Sequence, residues 1–198
     1  MKSLTLLFIG RSGAGKGTQA ELLKNYFIAQ NQEVKAVTGG DVYRAFFKED
    51  GYIQKIAKDV SMNQGKFQPD FLTDALCISY AARIVDEHSH LLFDAYPRTP
   101  GQLVTFKQFL AYIKRENAII VNVEVSPEEV TRRMLSRGRG DDSESAIKSR
   151  LGEYDRTVIP MLKEISKDPF FVHLEIDGSR SINEIHEDIK SKLAPYLA

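Results

Sequence analysis

Cysteine is nearly absent from this sequence, and so is any excess of charge: there is one Cys, and Lys+Arg and Asp+Glu both number 27. A lone thiol cannot close an internal disulfide, and the setting Ala75-Leu76-Cys77-Ile78 reads as a buried structural cysteine. A formal net charge of zero argues against a general nucleic-acid or membrane-surface binder, which would need a basic excess. It does not exclude a local cluster of arginines. No apolar run approaches the ~18 residues of a membrane span. The opening run Leu4–Ile9 is too short for a signal peptide, leads straight into glycines and has no cleavage-site pattern. The expectation is a cytoplasmic protein with neither nucleic-acid nor membrane partner.

At 198 residues, 42% hydrophobic and 27% charged, the chain has the proportions of one soluble globular domain. Apolar runs at Leu4–Ile9, Val34–Val37, Leu91–Phe93, Ala118–Val125 and Phe170–Ile176 read as strands, the first and fourth as buried ones. Helical spacing fills the intervals. Leu22, Leu23, Tyr26 and Phe27 follow the first strand, and Ile53, Ile56, Ala57 and Val60 mark a helix closed by Gly65. Pro69 is placed at the first position of a helix with Phe71, Leu72, Ala75, Leu76 and Ser79 on one side. Leu103, Phe106, Leu110 and Ile113 mark another, and Ser126-Pro127-Glu128-Glu129 is a capped helix start. A glycine- and charge-rich break from Arg137 to Asp142 precedes a long helix to about Lys167, and a closing helix follows Asp177-Gly178. Strands alternating with helices indicate a parallel α/β sheet covered on both faces.

Gly10-Arg11-Ser12-Gly13-Ala14-Gly15-Lys16 fits G-x-x-x-x-G-K directly after a strand and before a helix. Small residues there let backbone N–H groups converge on phosphate oxygens. The following helix adds its N-terminal dipole, and Lys16 adds a point charge. Gly17 follows the lysine, with the hydroxyl one place later at Thr18. The loop indicates a nucleoside triphosphate and leaves its use open.

Three further segments narrow the use: Gly39-Gly40-Asp41-Val42-Tyr43-Arg44, Asp94-Ala95-Tyr96-Pro97-Arg98-Thr99-Pro100-Gly101-Gln102, and the arginines Arg133, Arg137, Arg139 and Arg150 around Asp141-Asp142. With Gly13-Ala14-Gly15-Lys16-Gly17-Thr18, the ordered set resembles the adenylate kinase family of nucleoside monophosphate kinases from Leu4 to about Leu193. The short late break matches the short-lid form, and the missing cysteine quartet leaves no lid zinc.

The resemblance implies a P-loop three-layer α/β core with a five-stranded parallel sheet (1–37, 68–136, 146–198), a small helical monophosphate-binding insert (38–67) and a short lid (137–145). It implies a monomer that takes ATP, AMP and ADP, with Mg²⁺ and no phosphoenzyme. Residue by residue, Gly13 to Thr18 would cradle the ATP phosphates. Arg44 and Arg98 would hold the AMP phosphate, and Gln102 would hydrogen-bond adenine. Lys66, Phe67 and Gln68 would wall the base, with Gly39, Ala95 and Tyr96 nearby. Arg133, Arg137, Arg139 and Arg150 would surround the transferring group, Asp94 would hold water around Mg²⁺, and Arg180 marks the segment that meets the ATP adenine. A cis Tyr96-Pro97 bond is carried over too.

The chemistry of these residue types agrees, since phosphoryl transfer needs positioning and charge neutralisation more than a covalent nucleophile. Arginine forks bind phosphate oxygens bidentately. Asp141-Asp142 reads equally as a solvated pair or as a partner for the arginines. Three positions depart from the family pattern. Counting back from Arg44, Gly39 occupies the usual threonine position, so a hydroxyl near the base is missing or a bulge restores Thr38. Ser12 replaces a proline, and Ala95 a glycine. A UMP/CMP kinase, a nucleotide sensor without catalysis and a P-loop GTPase or motor ATPase are the competing classes. Gln102 speaks against the first, and the intact Lys16 and Arg98 against the second. The absent N-K-x-D motif and the arginine-rich lid speak against the third.

Overall fold

The computed structural model describes residues 3–60, 64, 66–138 and 142–197. Its five strands are β1 (Thr5–Ile9), β2 (Val34–Thr38), β3 (His90–Asp94), β4 (Ala118–Glu124) and β5 (Phe171–Asp177). They form one parallel sheet in the order β2-β3-β1-β4-β5. Between them run α1 (Lys16–Ala29), α2 (Gly39–Phe46), α3 (Tyr52–Lys58), α4 (Asp70–Ile84), α5 (Pro100–Tyr112), α6 (Pro127–Arg137), α7 (Glu144–Glu153), α8 (Ile159–Ile165) and α9 (Ile182–Leu197).

Alternation along β1 explains the three layers. Leu7 and Ile9 face a core shared with Cys77 and Ala81 of α4, Phe106 and Leu110 of α5, and Met161 of α8. Leu6 and Phe8 face the opposite core, with Leu23 and Phe27 of α1, Met134 of α6 and Ile189 of α9. Successive side chains of a strand point to opposite faces, so a five-residue apolar run feeds both layers. Each such side chain stabilises the fold by about 1.5–3 kcal/mol. The chain leaves β1 toward β2 on one side and leaves β3 toward β4 on the other. The carboxyl ends of β1 and β3 therefore flank the crevice where open α/β sheets bind ligands.

Several helix expectations need correction. Pro69 is the cap, one residue before α4. The buried face of α4 is Thr73, Cys77 and Ala81, while Phe71 is 72% exposed and Ala75 and Ser79 face solvent. Apolar residues surround this helix, so their spacing leaves the phase undetermined. Thr73 helps fix it, by a 2.7 Å hydrogen bond with the Tyr43 hydroxyl. The long helix after the break is interrupted by a π-helical segment, Tyr154–Val158, just ahead of Pro160. Proline lacks the N–H that a regular α-helix would use there, and a wider turn absorbs the mismatch. By contrast, Ser126 caps α6 as expected, accepting from the Glu129 N–H at 3.2 Å.

His90 gives the core a pH dependence. It is buried, stacked on Phe27 with ring centroids 4.2 Å apart, and its Nδ1 accepts from the Leu4 N–H at 3.0 Å. Burial and then Arg115 hold its pKa below the ordinary 6.5. The unfolded chain therefore takes up a proton before the folded one does. Stability is complete above pH 6.5 and falls as pH drops through the depressed folded value. The slope of unfolding free energy between about pH 6.5 and 5 should be shallower in His90→Gln, measured by urea melts at stepped pH.

Candidate active site

The glycine loop turns between β1 and α1 on positive φ values at Gly10, Gly13 and Gly15 (149°, 85° and 92°). A Cβ on Gly10 would come within 2.4 Å of the Val123 carbonyl, and one on Gly13 within 2.9 Å of the Val130 carbonyl. Glycine is thus required by close packing on β4 and α6 as well as by conformation. Helix α1 starts at Lys16 on a Gly15 cap that supplies no side-chain acceptor. Its first N–H groups are accordingly left for an anion. Ala14 is buried under the loop, while Gly17 and Thr18 are exposed beyond it.

Lys16 Nζ donates to the Arg11 carbonyl at 2.9 Å, so the lysine folds back over its own loop. Burial lowers its pKa to about 8; Asp94 opposes the fall, while Arg98 and Arg137 add to it. A Cβ on Gly17 would lie 3.4 Å from Asp94 Oδ2, which locates the carboxylate at the start of α1. The other oxygen, Asp94 Oδ1, is buried without a hydrogen-bond partner.

One pocket gathers Lys16, Phe67, Ala95, Arg98 and Arg150, floored by Gly10 and Ser12 and closed by Tyr154. The Arg98 guanidinium lies 4.7 Å from the Phe67 ring centroid, and burial lowers its pKa. The pocket volume is only about 20 Å³. A larger open depression of about 650 Å³ lies at the opposite end of the sheet, around Ser3 and Arg115. It is away from the carboxyl ends of the strands.

Of the acidic pair, Asp142 is a partner for the arginines. Its side chain is 1% exposed and receives Arg137 through Nε at 2.6 Å and Arg150 through Nη1 at 2.8 Å. Burial alone would raise its pKa, but the two arginines outweigh it and the net shift is downward. Asp142→Asn offers one of the two arginines a donor in place of an acceptor. It should lower unfolding free energy by about 1–3 kcal/mol, read from urea melts. Asp141 and Arg139 lie outside the described residues.

Other expected residues stand apart from the pocket. Arg44 pairs with Asp41 on an exposed face of α2. Arg133 bonds Glu129 and donates to the Gly178 carbonyl at 3.0 Å, tying α6 to the β5–α9 turn. Arg180 pairs with Asp188 of α9 and Asp177. Lys66 is exposed; Gln68 is buried and donates to the Ala57 carbonyl at 2.7 Å. Gln102 sits behind the Arg98 backbone, 2% exposed. The bond Tyr96-Pro97 is cis, and the Tyr96 hydroxyl donates to Asp74 at 2.7 Å.

Two residues escaped the sequence reading. Arg11 reaches the π segment, 4.8 Å from the Tyr154 ring centroid and 3.1 Å from Asp155. It occupies a wildcard position of the loop motif, so the motif carries no signal for it. Tyr154 enters the pocket from the irregular turn, which periodicity did not announce.

A sequence model described as adenylate kinase matches residues 8–169. Adenylate kinase of Prochlorococcus marinus subsp. pastoris is 32% identical over 190 residues, covering 96% of this chain and 97% of its own. That of Corynebacterium urealyticum is 32% identical over 184 residues, at 93% and 96%. That of Ureaplasma urealyticum serovar 10 is 26% identical over 221 residues, at 96% and 98%.

The chain belongs to the adenylate kinase family.

Membership makes it a nucleoside monophosphate kinase, a phosphotransferase on an α/β P-loop fold. Among the described residues, no helix is long and apolar enough to cross a membrane. Pairing of β2 with β3 runs without a bulge to Thr38↔Asp94, and α2 begins at the next residue, Gly39. A Cβ on Gly39 would sit 3.2 Å from the Ala95 carbonyl, a tight approach that glycine relieves. Ala95 holds φ 63°, a left-handed conformation that glycine adopts at less cost.

Proposed function

We propose that this adenylate kinase family member catalyses direct, reversible phosphoryl transfer, ATP + AMP ⇌ 2 ADP. The carrying observation is the convergence of Lys16, Arg98 and Arg150 on one pocket at the carboxyl ends of β1 and β3. Two polyanionic substrates repel each other, and cations held in a dry cleft offset that repulsion where charge shifts between leaving and attacking oxygens. In this reading the Gly13–Thr18 backbone and Lys16 hold the triphosphate. Arg98, joined by Arg44, holds the acceptor phosphate, and Arg133, Arg137, Arg139 and Arg150 close on the transferring group. The turn at Gly178 and Arg180 meets the ATP adenine, and Gln102 the acceptor base.

Asp94 suits Mg²⁺: the ion prefers oxygen ligands and keeps several waters, and one buried carboxylate oxygen here has no protein partner. Among the described residues no cluster of three acidic, His or Cys side chains could hold a metal alone. The ion would therefore rest on the nucleotide phosphates and water, with Asp94 and Thr18 as neighbours. When bound it neutralises charge on the phosphate oxygens.

A pocket of about 20 Å³ holds no nucleotide. The insert 38–67 and the lid 137–145 are the parts proposed to move. The Ser149 hydroxyl of α7 donates to the Gln64 carbonyl at 3.0 Å, a contact that has to break as the cleft opens. Reclosure on substrates excludes water and prevents ATP hydrolysis. The test is a panel of AMP, UMP, CMP and GMP at constant ATP. Preference for AMP is expected, and equal rates across the panel would overturn the assignment of the acceptor.

A further inference from the structure

Gln102 is held at both ends of its amide. Its Oε1 accepts from the Arg98 backbone N–H at 2.8 Å, and its Nε2 donates to Asp70 Oδ1 at 2.9 Å. A backbone N–H only donates and a carboxylate only accepts, so the amide stands in one orientation. Asp70 is itself fixed, because its Oδ2 accepts from the Thr99 hydroxyl at 2.9 Å. Thr99 in turn caps α5, accepting from the Gln102 N–H at 3.1 Å. Room for the carboxylate depends on Gly101, where a Cβ would come within 2.4 Å of Asp70 Oδ2. The starts of α4 and α5 thus clasp one nearly buried amide.

We propose that Asp70 is a positioning residue for base selection, locking the Gln102 amide so that it offers its remaining donor and acceptor in one fixed sense. The proposal rests on the reading that Gln102 meets the acceptor base. Adenine presents an amino donor beside a ring acceptor, whereas guanine and uracil present a carbonyl acceptor beside a ring N–H. An amide free to turn over suits either. Turning over the clasped amide would set Nε2 against the Arg98 N–H and Oε1 against the Asp70 carboxylate. That leaves buried groups unpaired, and such groups discriminate strongly between substrates. Selectivity then arises partly from what the site refuses.

The test measures kcat/KM for AMP and for GMP at constant ATP in Asp70→Asn, Gly101→Ala and Gln102→Leu. Asp70→Asn keeps the shape but supplies a side chain that can donate as well as accept. Gly101→Ala displaces the carboxylate without replacing it. Both should lower the AMP-to-GMP ratio about tenfold, the scale of one orienting hydrogen bond. The fall should come through a raised KM for AMP, with KM for ATP unchanged. Both rates come from the same preparation, so the ratio cancels any loss of folded protein. A purely helix-capping role for Asp70 would leave it unmoved. A ratio within about twofold of wild type in either Asp70→Asn or Gly101→Ala, with selectivity lost in Gln102→Leu, overturns the proposal alone. Selectivity kept in Gln102→Leu overturns the base reading and the proposal with it.

Discussion

Replacing Lys16 with methionine is expected to lower kcat/KM by about 10²–10³-fold, the usual consequence of removing one preorganised charge from a transferring group. Methionine preserves length and apolar packing, so the effect isolates the ammonium. Before substrate arrives the ammonium is poorly accommodated: burial first, and then the neighbouring Arg98 and Arg137, hold the lysine pKa down to about 8 against the pull of Asp94. Phosphate oxygens reverse that balance by stabilising the charged form. Binding of ATP should therefore weaken as pH rises through about 8 in the wild type. That dependence should vanish in Lys16→Met. Steady-state kinetics at pH 7 and 9 measure both effects, and activity within about twofold of wild type at pH 7 would remove Lys16 from its assigned role.

Arg98→Ala should cost a comparable factor of about 10²–10³ in kcat/KM for the monophosphate. The guanidinium rests against Phe67, and its backbone N–H anchors Gln102. Alanine keeps the backbone contact and removes the fork together with its contact to Phe67. Arg98→Lys should recover little, because an ammonium cannot grip two phosphate oxygens in the planar arrangement that arginine provides. The informative comparison is KM for AMP against KM for ATP. A loss shared equally by both would mean that Arg98 serves the whole cleft and not the acceptor side.

Much of this was legible in the sequence because the relevant physics is local. The apolar run Leu4–Ile9, its stop at Gly10 and the helix after Lys16 specify a strand, a phosphate loop and a helix without knowledge of the rest. Ser126-Pro127 likewise specifies the start of α6 by its cap. What was not legible depends on partners distant in the chain. The phase of α4 is fixed by Cys77 and Ala81 in the core and by Tyr43 meeting Thr73, and apolar residues on every side of the helix hid it. Asp142 could not be told from a solvated acid until Arg137 and Arg150 were seen to converge on it. Arg11 and Tyr154 meet at the start of a π-helical segment, which a 3.6-residue period does not reveal. Gly39 reads as a lost threonine in sequence and as a close approach to the Ala95 carbonyl in space.

The contact between Phe67 and Arg98 has a thermodynamic consequence for affinity. In the resting cleft the phenyl ring occupies the face of the guanidinium, and the pocket has about 20 Å³ left. In the proposed reading, a monophosphate reaching the Arg98 fork needs room that this packed arrangement does not leave. The measured dissociation constant is then the intrinsic one divided by the fraction of molecules whose cleft is open. The first nucleotide to bind bears that conformational cost, and the second finds it largely met. Under the proposed function, positive coupling between donor and acceptor is expected from the shared cost of opening this packed cleft, even without any direct attraction between the two substrates.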